Sequence, residues 1–386
     1  MNRKLKMGMV GGCLFSFIGK VHRMAAALDN EIELVGGAFN ADKTLSKQAG
    51  EAYYLDSERV YGSYQEMFEK EKLLPEGIRM DFVTIVTPNF LHYQIAKTAL
   101  ENGFHVVCEK PMTLTSEEAK NLAELVESTG LVFALTHPYT AYPLVKQAKY
   151  IVEQGMLGSI RKVIVEYSQG WMATSIETTG NQQASWRTDP KKAGKSGSIG
   201  DIGVHAQNLA EYITGQNICE VCADLTTFVQ GRKLEDDASM FIHFDKGAKG
   251  ILTSSQISVG EENNLTIKVY GEKGGIEWHQ QEPNSLVLNL LGKPMQIIRA
   301  GDTNNLCPQA IKNTRLPSGH PEGLIEAFAN IYKNFAEAVR AKKQGLKIQS
   351  NDFDLASVHD GLKEMLFIDA VIESSQSNEK WIKLKN

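Results

Sequence analysis

The chain has no run approaching the roughly 20 consecutive apolar residues that a membrane-spanning helix requires, so no membrane partner is expected. It also lacks an excess of either charge: 41 Lys and Arg stand against 46 Asp and Glu, well mixed, for a net charge of -5. That balance leaves no electrostatic footprint for nucleic acid or an anionic surface, and points to a small molecule or another protein chain as partner. Cysteines are few. The five, at 13, 108, 219, 222 and 307, are odd in number and irregular in spacing, which argues against a disulfide framework and for a reducing, cytoplasmic compartment. Cys219 and Cys222 make a lone Cys-x-x-Cys inside "NICEVCADLTTFV", a strand-forming stretch in which a three-residue offset sends the thiols to opposite faces. No second ligand pair accompanies them, so no metal site is expected. Internal repeats and low-complexity tracts are absent as well.

At 386 residues the chain exceeds the size of one hydrophobic core, and its 42% apolar content is enough for two. Residues 5 to 139 alternate short apolar runs with amphipathic stretches. The strands read as "LKMGMVGG", "EIELVGGAF", "DFVTIVTP", "HVVCEK" and "LVFALTHPY", nearly continuous in apolar residues as strands covered on both faces must be. Between them, Leu91, Ile95, Ala99 and Leu100 recur at helical spacing before Gly103, and Thr115 with Glu118 forms a capping-box pattern. The pattern predicts a doubly wound parallel α/β sheet of the nucleotide-binding, Rossmann kind over residues 1–138. After a helix near 143 to 154, strands such as "ASMFIHF", "AKGILTSSQIS", "NLTIKVYG" and "GGIEWHQ" alternate apolar and polar residues. Residues 139–386 are therefore expected to form an α+β domain with a large open, mostly antiparallel sheet.

The opening "KMGMVGGCLFSFIGKVHR" follows a basic start and can be read as a secretion signal ending at Cys13, or as a phosphate-binding turn. Gly8, Gly11, Gly12 and Gly19 interrupt its apolar stretch, helical sequence follows directly, and cleavage at Cys13 would delete the first strand. The second reading is the one kept: Gly11, Gly12 and Gly19 after a first strand and before a helix can present backbone N–H groups to a pyrophosphate. Cys13, Phe17 and Ile18 belong to the same turn. The acidic residue expected after the second strand is missing; Asn40 stands there, with Asp42 for a free ribose hydroxyl or Lys43 for a 2'-phosphate, so NAD is expected with NADP not excluded. The ends of the next strands supply Thr87, Pro88, Asn89 and His92, then Glu109 and Lys110, as cofactor-edge candidates. A lysine at such a strand end can exchange a proton with a substrate hydroxyl. In "GSIGDIGVHAQN", Asp201 and His205 are four apart at the start of a helix, hence on one face, a carboxylate and imidazole fit for acid/base work. An N-cap with a structural histidine, or a two-ligand metal site, are the competing readings of that pair.

The glycine turn with "GKVHR", then "TPNFLH", "EKP" and "GDIGVH", in this order, resemble the Gfo/Idh/MocA oxidoreductases over essentially the whole chain. The resemblance implies a Rossmann domain, a C-terminal substrate-binding domain whose sheet joins subunits into a homodimer or homotetramer, and NAD(P)-dependent oxidation of a secondary alcohol on a sugar, cyclitol or glycoside. It casts Lys110, Asp201 and His205 as the catalytic trio, with His205 as acid/base. Sugar dehydrogenases in the family carry a Trp-Arg pair like Trp186 and Arg187 here, preceded by Trp171. An aromatic face suits the C–H face of a pyranose and a guanidinium suits vicinal hydroxyls. His137 and Tyr139, in "THPYT", complete the substrate-binding candidates. Against the family pattern the turn carries three extra residues, Leu14 to Ser16, and Asn208 stands where many members have Asp. The alternatives on the same scaffold are transient use of bound NAD for epimerisation or glycoside cleavage, a sugar-sensing regulatory protein without activity, and a metal-dependent isomerase.

Overall fold

The apolar runs of the first third become parallel strands because helices cover both of their faces and leave no side in water. The computed structural model describes residues 3–346 and 350–385. Strands β1 (Leu5–Gly11), β2 (Ile32–Ala38), β3 (Phe82–Val86), β4 (His105–Cys108) and β5 (Phe133–Leu135) pair in the order β2-β1-β3-β4-β5. Every pair is parallel. Helices α1 (Phe17–Leu28), α2 (Lys43–Ala52), α3 (Tyr64–Glu71), α4 (His92–Glu101) and α5 (Ser116–Thr129) connect them. Strand order reverses between β1 and β3, so their ends at Gly11 and Val86 open the crevice where such sheets hold ligands. The expected cap on α5 forms: the Thr115 hydroxyl accepts the Glu118 N–H at 3.1 Å, while the Glu118 carboxylate reaches back to the N–H of Leu114 at 3.1 Å.

The chain divides into two compact units, Met1–Thr136 with Leu324–Leu362, and His137–Gly323 with Lys363–Asn386. A single cut between 138 and 139 does not anticipate the return of Leu324–Leu362 to the first unit. The helix Leu324–Lys343 packs on α1, and Phe328, Ile331, Tyr332, Phe335 and Val339 make its buried stripe at helical spacing. Within that stripe Phe335 meets Phe82 at 4.9 Å between ring centroids, and Phe328 meets His22 at 4.9 Å.

His105, the first residue of β4, is buried and its Nδ1 accepts the Val132 N–H at 2.9 Å. Burial, with the Lys343 charge behind it, pushes this imidazole down to about 4 from 6.5. As pH falls through 6.5 the unfolded chain takes up a proton that the folded chain refuses until about 4, so stability is lost across that window. The loss is on the order of 2–3 kcal/mol by pH 4.5. Urea unfolding at pH 7 and pH 4.5 checks it: His105→Gln, which keeps an acceptor and cannot titrate, is expected to lose that much less than the parent, and equal losses would remove His105 as the cause.

Among the described residues the second unit holds nine strands: β6 (Ile160–Ser168), β7 (Ile218–Thr226), β8 (Asp237–Phe244), β9 (Lys249–Ser255), β10 (Asn264–Gly271), β11 (Gly274–His279), β12 (Ser285–Leu290), β13 (Gln296–Arg299) and β14 (Trp381–Lys383). Their order is β13-β12-β11-β10-β6-β9-β8-β7-β14, antiparallel throughout except for the parallel pair β6 and β9. Helices α6 (Pro143–Glu153) and α9 (Val204–Thr214) lie on this sheet, and α7 (Gln182–Arg187) and α8 (Pro190–Ala193) precede α9 in sequence. Alternation along β8 puts Met240 and Ile242 inside and leaves Phe241 exposed. Cross-strand register carries Phe241 into a row with Ile251, Ile164, Lys268, Glu277, Val287 and Ile297. Cys222 joins the same row opposite Phe241, whereas Cys219 sits at a bulge with its thiol toward the His243 carbonyl. No helix among the described residues is long and apolar enough to cross a membrane, and no group of three or more His, Cys, Asp or Glu is placed to hold a metal ion.

Candidate active site

In the first unit β1 runs into Gly11 and Gly12, whose φ values of 83° and 77° lie in the left-handed region that favours glycine. A Cβ on Gly11 would stand 3.0 Å from the Val86 carbonyl, and one on Gly19 would stand 2.4 Å from the Cα of Gly12. The turn and α1 are thus in backbone contact. The three extra residues close a turn of their own: Ser16 N–H donates to the Cys13 carbonyl at 2.9 Å, and the Ser16 hydroxyl caps α1 by accepting the Gly19 N–H at 3.1 Å. Cys13 is half-buried on that turn, and Leu14, Phe15 and Phe17 are exposed. Behind it, the Gly12 carbonyl accepts from Arg23 at 3.1 Å and from the Tyr53 hydroxyl at 3.0 Å, with the Arg23 guanidinium 3.7 Å above the Tyr53 ring.

The residues fit a dinucleotide. A glycine cradle that any Cβ would fill leads into the N-terminus of α1 at Phe17 and Ile18, where backbone N–H groups and the helix dipole favour an anion. At the neighbouring strand exit the Thr87 hydroxyl oxygen is buried without a hydrogen-bond partner, which a bound ligand would relieve. At the end of β2, Asp42 is committed locally, capping α2 through the N–H groups of Thr44 (2.8 Å) and Leu45 (3.3 Å). Asn40 accepts the Asp42 N–H at 2.9 Å, and the stem of Lys43 lies against Gly62, where a Cβ would meet its Cε at 2.8 Å.

Two other candidates face inward. His92 is fully buried with its ring nitrogens 2.8 Å from the carbonyls of Thr87 and Pro111, tying the turn after β3, with Pro88 and Asn89, to the turn after β4. Burial holds this imidazole below its ordinary range although both carbonyls favour the charged form. The Glu109 carboxylate accepts from His22 (2.9 Å), Thr136 (2.6 Å) and the Lys110 N–H (3.1 Å). Burial opposes its charge, yet the His22 bond, the Lys110 charge and the Thr136 bond keep it below the ordinary carboxyl range. His22 continues to the Tyr332 hydroxyl at 2.6 Å, and Tyr332 to Thr84 at 3.1 Å. Lys110 thus leaves β4 from an anchored backbone, half-buried itself, with a cis peptide to Pro111.

In the second unit α7 presents Arg187, whose guanidinium lies 4.2 Å from the Trp186 ring centroid and 5.8 Å from that of Trp171. Its Nε donates to Asp201 at 2.9 Å, and the same carboxylate oxygen accepts from Gln256 Nε2 at 2.8 Å. Neither tryptophan is core packing: Trp171 is exposed and Trp186 half-buried. Asp201 does not sit on a plain α-helix as the sequence pattern predicts. Ile199–Gly203 form a wide π turn, closed by the Val204 N–H on the Ile199 carbonyl, before α9 begins. Buried Glu235 holds that turn, accepting from the Ser196 hydroxyl (2.5 Å) and the N–H groups of Gly197 (2.9 Å) and Ile199 (3.1 Å). Gly197 is required there, since a Cβ would lie 2.2 Å from the Glu235 carbonyl oxygen.

His205, in the first turn of α9, is buried, with its Nδ1 3.2 Å from Nδ1 of His137. His137 Nε2 in turn stands 3.0 Å from the buried carboxylate of Glu364. The Tyr139 ring meets the His205 ring edge-on at 4.9 Å, and its hydroxyl contacts the Tyr167 hydroxyl (2.5 Å) and Asn263 (3.1 Å). Burial, with the Tyr139 hydroxyl beside it, pushes the Tyr167 phenol well up. His137 and Tyr139 therefore spend these polar atoms on their neighbours around His205. Gln256, Glu235 and Glu364 went unnoticed in the sequence. Gln256 carried a usable signal, its place just past a strand end, and Glu364 another, a carboxylate inside the apolar run of "LKEMLFIDA".

Residues 5–137 match the oxidoreductase family described by its NAD-binding Rossmann fold, and residues 145–277 match the GFO/IDH/MocA C-terminal domain. An NAD-binding dehydrogenase is the class that fold and turn define, and the chain belongs to the Gfo/Idh/MocA family of oxidoreductases. It is 34% identical to the uncharacterised oxidoreductase YfiI of Bacillus subtilis over 100% of this chain and 98% of that one. The crystal structure of an inositol dehydrogenase homologue from Azotobacter vinelandii, complexed with NAD+, superposes with a TM-score of 0.93 at 33% identity, covering 99% of this chain and 98% of that one. A levoglucosan dehydrogenase of Pseudarthrobacter phenanthrenivorans is 26% identical over 98% of both chains.

Proposed function

We propose that the enzyme oxidises a secondary ring hydroxyl of a pyranose, cyclitol or glycoside to a ketone with NAD. The observation that carries this reading is the Trp171, Arg187 and Trp186 arrangement bonded to Asp201: indole faces suit the C–H face of a sugar ring, and Arg187, with Nε on Asp201 and Nη1 on Gln183, keeps Nη2 to donate to sugar hydroxyls. NAD+, held at the glycine turn and the N-terminus of α1, would supply the hydride acceptor. His205 takes the hydroxyl proton as the carbonyl forms, Lys110 stabilises charge developing on that oxygen, and Asp201 orients the substrate. The names of relatives that act on levoglucosan and on glucosides support the substrate class. With the Asp42 carboxylate committed to its helix cap, Asn40 and Lys43 are the polar residues at the end of β2 for the adenosine ribose.

The row in which Phe241 and Ile297 are exposed and Ile251 and Ile164 half-buried supports joining of subunits through the outer face of the large sheet. None of the five cysteines forms a disulfide, in keeping with a reducing cytoplasmic compartment. The test is a panel of pyranoses, cyclitols and glycosides assayed for reduction of NAD and of NADP separately. At least one class is expected to reduce NAD in preference to NADP. If no polyol reduces either cofactor and no keto-sugar oxidises the reduced forms, the reading fails.

A further inference from the structure

We propose that Glu364 and His137 form a positioning relay that fixes His205 in the Nδ1–H tautomer, so that Nε2 is the atom that takes the substrate proton. The inference rests on the assignment of His205 as proton acceptor, and takes it from a residue to an atom. A carboxylate only accepts hydrogen bonds, so the 3.0 Å contact to Glu364 requires His137 to carry its proton on Nε2. In the proposed relay His137 is neutral, and an imidazole protonated only at Nε2 has its lone pair on Nδ1. The 3.2 Å contact between the two Nδ1 atoms then forms only if His205 donates from Nδ1, which leaves its own lone pair on Nε2. The opposite tautomer at His205 would set two lone pairs against each other inside the protein.

The surroundings make the chain decisive. Glu364 is completely buried, His137 is 2% exposed and His205 6%, so bulk water does not randomise the tautomers. The edge-on ring of Tyr139 against His205, 4.9 Å away, and the perpendicular setting of the two imidazoles, 5.2 Å apart, hold both rings in place. When His205 receives the hydroxyl proton on Nε2, no other covalent bond needs to change. Its Nδ1–H bond to His137 becomes charge-assisted, and the Glu364 carboxylate stabilises the new cation from the far side of His137. Orienting a catalytic imidazole through a buried carboxylate is a general device; here a second imidazole stands between the two.

The tautomers are read directly by NMR of the enzyme with isotope-labelled histidine ring nitrogens, the His205 signal being identified by its loss in His205→Asn. The expected result is a proton on Nδ1 of His205 and on Nε2 of His137 at neutral pH. In Glu364→Gln, whose amide can either donate or accept, His205 is expected to become a mixture of tautomers. Its kcat should fall about tenfold or more with KM for the polyol and NADH affinity nearly unchanged. His137→Asn is expected to mix the His205 tautomers in the same way. A proton found on Nε2 of His205 in the parent enzyme would overturn the relay, as would a single unchanged tautomer in Glu364→Gln. If no polyol is turned over by the parent enzyme, the dehydrogenase reading fails on its own, and the spectra still decide the relay.

Discussion

His205→Ala and Lys110→Met are each expected to lower kcat for polyol oxidation by about 10²–10⁴-fold, the range that positioned proton transfer contributes. NADH binding should survive both changes. His205 belongs to the second unit, whose Tyr139, Tyr167 and His137 neighbours surround the ring, while the glycine turn, Thr87 and the α1 N-terminus belong to the first. Lys110 belongs to the first unit, but its backbone is anchored by Glu109, and a methionine preserves the length of its stem while removing the charge. Stopped-flow turnover together with fluorescence titration of NADH separates the two quantities. Loss of nucleotide binding in both variants would mark these residues as structural and leave the proposed chemistry without its proton acceptor and its charge-stabilising lysine.

The second large effect is expected from a single methyl group. Gly19→Ala places a carbon where the Cα of Gly12 is 2.4 Å away and its carbonyl carbon 3.2 Å away, both backbone atoms that cannot swing aside as a side-chain tip can. Either α1 lifts off the turn or the turn moves outward, and either displaces the N–H groups from the place proposed for the pyrophosphate. Overpacking of this kind costs about 1–3 kcal/mol. Expressed in NADH affinity that is roughly five- to 150-fold. Calorimetric titration of NADH checks it, with Cys13→Gly as the contrasting variant at the same turn. An unchanged dissociation constant in Gly19→Ala would show that the turn is not where the pyrophosphate binds.

The parallel sheet was legible because its strands are short and continuously apolar, and the open sheet because its strands alternate. The residues around Asp201 were legible for a different reason, since charged and aromatic side chains between glycines have little to do in a core. What sequence reading left out depends on partners distant in the chain. The stripe Phe328, Tyr332 and Phe335 announces a helix with one buried face, but periodicity does not say which surface it covers. Glu364, a carboxylate inside an apolar run, announces that it is buried but not that His137 stands beside it. The π turn at Ile199–Gly203 was hidden as well, because what holds it is the carboxylate of Glu235, more than 30 residues onward. The cofactor-edge reading of His92 and Glu109 placed both near the right strand ends, yet burial turned their polar atoms to Thr87, Pro111, His22 and Thr136.

The return of the helix Leu324–Lys343 to the first unit also bears on how the enzyme is made. Domains emerging from the ribosome generally fold in order from the N-terminus. Here the nucleotide-binding sheet is complete once β5 has been synthesised, but α1 has no cover for its outer apolar face, and His22 has no Tyr332 to bond, until the chain has grown through residue 343. During synthesis the first unit must wait, partly uncovered, for the long intervening segment that becomes the second.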